Sequence, residues 1–243
     1  TDDAAITMLQ LLQRNGSADI FTQETKDKDS VLHTAARRNN VRLVEKLLDD
    51  PQINSEDRIS KMASSRNKEG QTPLHVAALA DSEQVAEVLL ARPGLESANT
   101  LDSHNRTPAK FAAYRDSFKV LQILIKEGYK EDDKQDAQDL QTSFEELVLT
   151  AVQGNAVKSL TTLMAFDDNE NISANVLKKG QFSDTLLHQA AYNNAHRVVE
   201  ALVKAGVEVD ALNDAKRTAL HESGKLKHVD VLEALLRNGA DAA

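Results

Sequence analysis

Five apolar stripes run along the chain: Leu43, Val44, Leu47 and Leu48; Val85, Leu89 and Leu90; Val120, Leu121 and Leu124; Val198, Val199, Leu202 and Val203; Val231, Leu232, Leu235 and Leu236. Positions three and four apart share one face of a helix. Each stripe therefore predicts an amphipathic helix with one buried side. A shorter segment precedes each stripe: DSVLHTAA at 29–36, QTPLHVAA at 71–78, RTPAKFAA at 106–113, DTLLHQAA at 184–191 and RTALHESG at 217–224. In these segments Thr72, Thr107, Thr185 and Thr218 stand where a hydroxyl caps a helix, with Ser30 in the same slot. Pro73 and Pro108 follow at the first helical position, where a missing N–H costs nothing. The Ala pairs 35–36, 77–78, 112–113 and 190–191 keep this first helix thin enough for close stacking. Segment and stripe together predict a repeated pair of short helices.

A sixth pair, LVLTAVQGNAVKSLTTLM at 147–164, fits only with a one-residue slip between its helices. Ile6, Leu9, Leu11, Leu12 and Asn15-Gly16 read as the second helix and turn of a repeat whose first half is absent, and the chain stops just after Gly239-Ala240-Asp241. A fragment of a longer protein is therefore expected. His33 to His75 spans 42 residues, His75 to Lys110 spans 35, and His188 to His221 spans 33. Lys110 to Val148 or Leu149 is 38 or 39, and from there to His188 is 40 or 39. The extra residues fall at 51–65, 128–142 and 166–180, where surface loops or elongated fingers are expected.

Thr-Pro-Leu-His, Ala-Ala, a Leu-Leu stripe and a closing Gly-Ala-Asp resemble the ankyrin repeat, and the resemblance covers nearly the whole chain. It implies an all-α solenoid of about six stacked repeats forming a single domain over 1–243. The partial repeat takes 1–24, and full repeats take approximately 25–66, 67–101, 102–140, 141–179, 180–212 and 213–243. It also implies that the repeat histidines His33, His75, His188 and His221 bond to the adjacent hairpin backbone rather than hold metal.

Composition narrows the chemistry. The net charge is −9, and residues 127–146 carry eight acids against two bases, so nucleic acid is not expected as a partner. No apolar run approaches a membrane span of about 18 residues, so no membrane insertion is expected. The chain has no cysteine, which removes disulfides, thiolate zinc sites and cysteine nucleophiles. No phosphate-binding glycine loop, GxSxG elbow or zinc-protease helix motif is present, and the acidic run lacks the spacing of a calcium-binding loop. His104, His196 and His228 read as surface positions. No catalytic, cofactor or metal site is expected, and the chain reads as a non-enzyme.

What remains is surface. The resemblance implies that partners bind the hairpin tips and the exposed end of each first helix, on the concave side. Mapped onto this sequence, the candidate contacts are Arg37, Arg38, Lys68, Leu79, His104, Arg106, Tyr114, Arg115, Phe182, Tyr192, Asn193, Arg217 and Lys225. The inner positions carry seven cations (Arg37, Arg38, Lys68, Arg106, Arg115, Arg217, Lys225) against Asp29, Glu69, Asp184 and Asp214, a surplus of three. The expected function is that of a protein–protein interaction scaffold, monomeric and in the cytoplasm or in cytoplasm and nucleus, with a partner whose contacting segment is acidic. The uneven spacing also resembles the ankyrin domains that inhibit NF-kappaB transcription factors. A pathogen effector, a receptor or channel cytosolic domain, and the targeting module of a larger enzyme stand as alternatives.

Overall fold

A computed structural model describes residues 25–49, 56–92, 98–128, 137–166 and 184–242. Thirteen α-helices and no strand occur among the described residues: α1 (Val31–Arg37), α2 (Val41–Asp49), α3 (Glu56–Ala63), α4 (Pro73–Leu79), α5 (Glu83–Leu90), α6 (Pro108–Arg115), α7 (Phe118–Gly128), α8 (Ala137–Gln153), α9 (Val157–Phe166), α10 (Leu186–Tyr192), α11 (His196–Lys204), α12 (Ala219–Leu226) and α13 (Val229–Arg237). The partial repeat at 1–24, the stretch 51–55, residues 129–136 and 167–183 lie outside the described residues, as does Phe182. By their internal contacts the described residues form two compact units, 25–112 with 119–128 and 113–118 with 137–242.

In the first unit, α1 packs on α4 and α2 on α5; in the second, α8 packs on α10, α10 on α12, α9 on α11 and α11 on α13. First helices thus stack on first helices and second on second. The predicted stripes supply the core: Val44, Leu48, Val85, Leu89, Val120, Leu121, Val198, Val199, Leu202, Val231 and Leu235 are buried, as are all four Ala pairs. An Ala methyl on the thin helix is what lets the next helix approach.

The turn between the two helices of each pair is made by one residue in the left-handed region: Asn39, Asp81, Asp116, Asn155, Asn194 and Lys227. Five of the six are Asn or Asp, the residue types that tolerate this conformation best after glycine. Their side chains also reach across. The Asn39 amide donates to Gln84 at 2.5 Å, Asp116 accepts the Ser159 backbone N–H at 2.8 Å, and Asn155 accepts that of Arg197 at 2.8 Å. Each turn residue stands six positions after the repeat's histidine slot: 33 and 39, 75 and 81, 110 and 116, 188 and 194, 221 and 227. The same offset from Asn155 places Leu149 in the histidine slot of the degraded pair. Taken from Leu149 the pair needs no slip, and the choice between Val148 and Leu149 is settled.

Two of the expected loops contain helix. Residues 56–63 form α3, whose Met62 and Ala63 are buried. Ile59, Met62 and Ala63 have the three- and four-residue spacing of a short amphipathic helix. The insertion therefore has its own apolar stripe and folds instead of remaining a finger. Residues 137–142 belong to α8, which runs 17 residues. The physical reason is the missing cap: Glu146 stands where the other pairs have Ser or Thr, with no proline after it. Nothing stops the helix at the usual place, so it continues upstream through Ala137–Ser143.

Candidate functional site

The first-helix histidines come first, because they fix the loops that carry the candidate residues. His33 Nε2 lies 2.8 Å from the Gln71 carbonyl, His75 Nε2 3.0 Å from that of Arg106, and His188 Nε2 2.9 Å from that of Arg217. A carbonyl only accepts, so each Nε2 carries the proton and each Nδ1 is free to accept. Nδ1 then takes the capping residue's backbone N–H, at 3.1 Å for Ser30, 3.2 Å for Thr72 and 3.2 Å for Thr185. One neutral imidazole thus caps its own helix and holds the loop that begins the following one. Metal ligation would require breaking both bonds, and no group of three or more His, Cys, Asp or Glu among the described residues could hold an ion.

Burial lowers the pKa of His75 below that of a free histidine, against the raising effects of the Arg106 carbonyl and Asp102. A histidine held neutral in the fold binds its proton more readily when unfolded. Its effect on stability is therefore complete above about pH 6.5 and turns unfavourable as pH falls below that value. The urea midpoint is expected to drop between about pH 7.5 and pH 5.5, and to drop less in His75→Gln. The carboxylates with shifted pKa, Asp29, Asp102, Glu200 and Glu222, are lowered and stay ionised across this window, so they do not contribute to the change.

In the first unit the candidates are Arg37, Arg38, Lys68, Leu79, His104 and Arg106. Arg37 is ion-paired with Asp29 at 2.7 Å, and Asp29 also accepts the Asn67 amide at 3.1 Å. Burial alone would raise the Asp29 carboxyl, but Arg37 and Asn67 hold it below its usual value. Lys68, at its hairpin tip, reaches Asp27 at 3.4 Å. Arg106 is gripped from two sides: Asp102 at 2.7 Å and the Phe111 ring, 4.5 Å from guanidinium carbon to centroid. Burial pushes the Asp102 carboxyl up, yet hydrogen bonds from the Arg106 side chain and from the backbone N–H groups of Arg106 and His104 bring it below the carboxylate range. Arg38 and His104 are exposed and Leu79 is half-buried.

In the second unit the candidates are Tyr114, Arg115, Tyr192, Asn193, Arg217 and Lys225. Tyr114 is 52% exposed, and its hydroxyl makes no hydrogen bond among the described residues. Arg115 beside it is also exposed. Tyr192 differs: it is half-buried, its hydroxyl donates to Asp184 at 3.3 Å, and it accepts from Asn213 at 3.4 Å. That ring ties one repeat to the next. Arg217 pairs with the buried Glu222 at 2.5 Å. Asn193 and Lys225 are exposed.

Of the seven cations counted from the sequence, Arg37, Lys68, Arg106 and Arg217 are therefore ion-paired. Including their uncounted partners Asp27, Asp102 and Glu222 takes the surplus from three to zero. Arg38, Arg115 and Lys225 remain without an ion pair among the described residues. Of the three histidines expected at the surface, His104 and His196 are exposed, but His228 is half-buried with Nδ1 2.8 Å from the Ala191 carbonyl.

One inner pair was not found from the sequence. With Leu149 in the histidine slot, Gln153 and Gly154 occupy the positions equivalent to Tyr114 and Arg115, and Gln153 is exposed. A Cβ built on Gly154 would lie 2.1 Å from the Tyr114 carbonyl oxygen. Glycine is what lets the end of α8 come against the backbone that presents Tyr114. The left-handed Asn155 one residue later is the signal that could have fixed this register.

A family model described as ankyrin repeats matches residues 3–96, 59–136 and 147–243. The B-cell lymphoma 3 protein homolog of Mus musculus is 27% identical over 229 residues, covering 93% of this chain and 48% of that protein. The chain thus spans about half the length of this relative. Among solved structures, the human ASB11 ankyrin repeat domain superposes with a TM-score of 0.66 at 21% identity, covering 100% of this chain and 96% of that one. The ankyrin repeat domain of Bcl-3, described as a unique member of the IkappaB protein family, gives a TM-score of 0.59 at 22% identity and 89% coverage of each chain. The repeated helix pairs, the histidine-to-carbonyl bonds and these matches agree: the chain belongs to the ankyrin-repeat family.

Proposed function

We propose that this protein is a non-catalytic scaffold that binds a protein partner through the exposed ends of its first helices and its hairpin tips. The observation that carries the reading is Tyr114. A large aromatic ring stands half exposed at the end of α6 beside an exposed Arg115, with no hydroxyl hydrogen bond among the described residues. Tyr and Arg are the residue types most enriched among binding hot spots. Tyr192 is retained as a rim contact only, because its hydroxyl is already engaged. An acidic contacting segment on the partner belongs to this reading only locally, at the exposed Arg38 and Arg115, because the inner positions as a whole are balanced in charge. Among the described residues no helix is long and apolar enough to cross a membrane. A place in the cytoplasm, or in cytoplasm and nucleus, is part of the same proposal.

The test is affinity capture with the wild-type chain, Tyr114→Ala, and Arg197→Glu on the outer surface of α11. Once a partner is identified, Tyr114→Ala is expected to weaken it by about 2 kcal/mol, roughly thirtyfold. Arg197→Glu is expected to leave it unchanged. Equal binding by Tyr114→Ala and wild type would remove the first-helix end as the contact.

A second reading is a regulatory ankyrin domain of the NF-kappaB-inhibitor type, supported by the likeness to the lymphoma 3 homolog and to Bcl-3. Titration with purified NF-kappaB dimers tests it. No saturable binding at micromolar concentrations would leave the general reading standing alone.

A further inference from the structure

The fourth residue after the histidine slot lies at the end of each first helix, and twice the chain itself brings a carboxylate to it. Asp29, four before His33, accepts from Arg37 at 2.7 Å, and Asp184, four before His188, accepts from the Tyr192 hydroxyl at 3.3 Å. An amide from the following hairpin completes each arrangement. Asn67 donates to Asp29 at 3.1 Å, and Asn213 donates to the Tyr192 hydroxyl at 3.4 Å. Both carboxylates are buried. In these two repeats the side chain at the helix end therefore has an acidic partner built into its own repeat.

Tyr114 occupies the same slot, and its repeat offers no such acid. Four before Lys110 stands Arg106, whose guanidinium is already taken by Asp102 and the Phe111 ring. The Tyr114 hydroxyl makes no hydrogen bond among the described residues. Arg115, next along, is exposed and has no ion pair among them. The acid that follows, Asp116, is engaged elsewhere, its Oδ1 accepting the Ser159 backbone N–H at 2.8 Å. Gly154 draws the end of α8 against this point, since a Cβ there would lie 2.1 Å from the Tyr114 carbonyl oxygen. The approach brings up the exposed Gln153, whose carboxamide is a further donor. A phenol hydroxyl, a guanidinium and a carboxamide thus collect at two abutting helix ends, and none of them is bonded among the described residues. We propose that they form a binding site for a carboxylate side chain, Asp or Glu, of the protein partner. The partner supplies from outside the group that Asp29 and Asp184 supply from within. Arg115 takes the carboxylate as a charge-assisted pair and the Tyr114 hydroxyl donates to one of its oxygens. This rests on the reading of Tyr114 as a contact and adds the chemical group that the contact recognises.

The probe is the peptide acetyl-Gly-Glu-Gly-Glu-Gly-Glu-amide, with its Gln counterpart as neutral control, titrated into the isotope-labelled chain and followed by NMR. Backbone amide signals of Tyr114, Arg115, Gln153 and Gly154 are expected to shift with a Kd on the order of 1 mM, and the Gln peptide to leave them in place. Tyr114→Phe and Arg115→Gln are each expected to weaken the Glu peptide at least about threefold, and added salt to weaken it further. Tyr192→Phe is expected to change nothing, because that hydroxyl already belongs to Asp184. No shift up to about 10 mM, equal shifts with the Gln peptide, or an affinity indifferent to Tyr114→Phe overturns the carboxylate site. The captured partner separates this outcome from failure of the broader reading. Weak binding by Tyr114→Ala with full binding by Tyr114→Phe overturns the carboxylate held by the hydroxyl and leaves Tyr114 as a contact. Full binding by both variants removes the contact itself.

Discussion

Leu202→Ala is expected to cost about 2–5 kcal/mol of stability, read as a lower urea midpoint with an unchanged slope. Leu202 sits on α11, fully buried between α9 on one side and α13 on the other. Removing its isobutyl group loses the transfer energy of the buried atoms and leaves a cavity lined by two flanking helices. Those helices are fixed by their own repeats and cannot both collapse into the gap. Leu89→Ala on α5 makes the same change in the first unit and carries the same expectation. Because stability in a repeat stack is a sum over neighbouring interfaces, each substitution weakens its own unit most. Amide exchange would show this as faster exchange confined to the substituted unit and its nearest neighbours.

Gly154→Ala is the second large effect. The added methyl would sit 2.1 Å from the Tyr114 carbonyl oxygen and 2.8 Å from the carbonyl carbon, both backbone atoms that no rotamer change can move. The end of α8 must therefore shift away from Tyr114. The expected cost is at or above the top of the range of about 1–3 kcal/mol for overpacked sites. Gly224→Ala provides the contrast within the same chain. There the methyl meets only a Leu232 side-chain carbon at 3.9 Å, inside α12. Alanine is the better helix former, so that substitution is expected to be neutral or to stabilise by up to about 1 kcal/mol. Thermal melts of the two variants compare them directly. If Gly154→Ala melts with the wild type, α8 does not approach Tyr114 as closely as described.

The parts of the fold that were legible are those written in short-range chemistry. Thr or Ser, two residues ending in Leu, then His three residues after the cap specify a capped helix whose imidazole also bonds outward, and the structure has that arrangement at Ser30, Thr72 and Thr185. The stripes were legible because burial on one helix face imposes a period. What was not legible depends on something missing. At Glu146 the absent cap let α8 extend upstream, and a pattern of signals gives no warning of where a helix continues without one. The helix at 56–63 was hidden because its apolar residues are few and its sequence otherwise polar.

The candidate contacts were legible as positions but not as chemistry. Slots on a repeat can be counted, so Tyr114 and Tyr192 were both placed at the ends of first helices. Counting does not show that Asp184 and Asn213 converge on the Tyr192 hydroxyl, nor that Asp102 and Glu222 fold under Arg106 and Arg217. Asp102, Asn213 and Glu222 come from hairpin and helix positions outside the counted set. The basic surplus read from the sequence was for that reason too large.

The central claim is that a protein partner sits on the first-helix ends and hairpin tips. Amide exchange of the chain alone and saturated with its captured partner tests that claim most directly. Slower exchange is expected at 114–116 and 153–155, the turns that follow the Tyr114 and Gln153 helix ends, with the outer helices α9 and α11 unchanged. Protection confined to α9 and α11, with 114–116 and 153–155 exchanging as in the free chain, would contradict it.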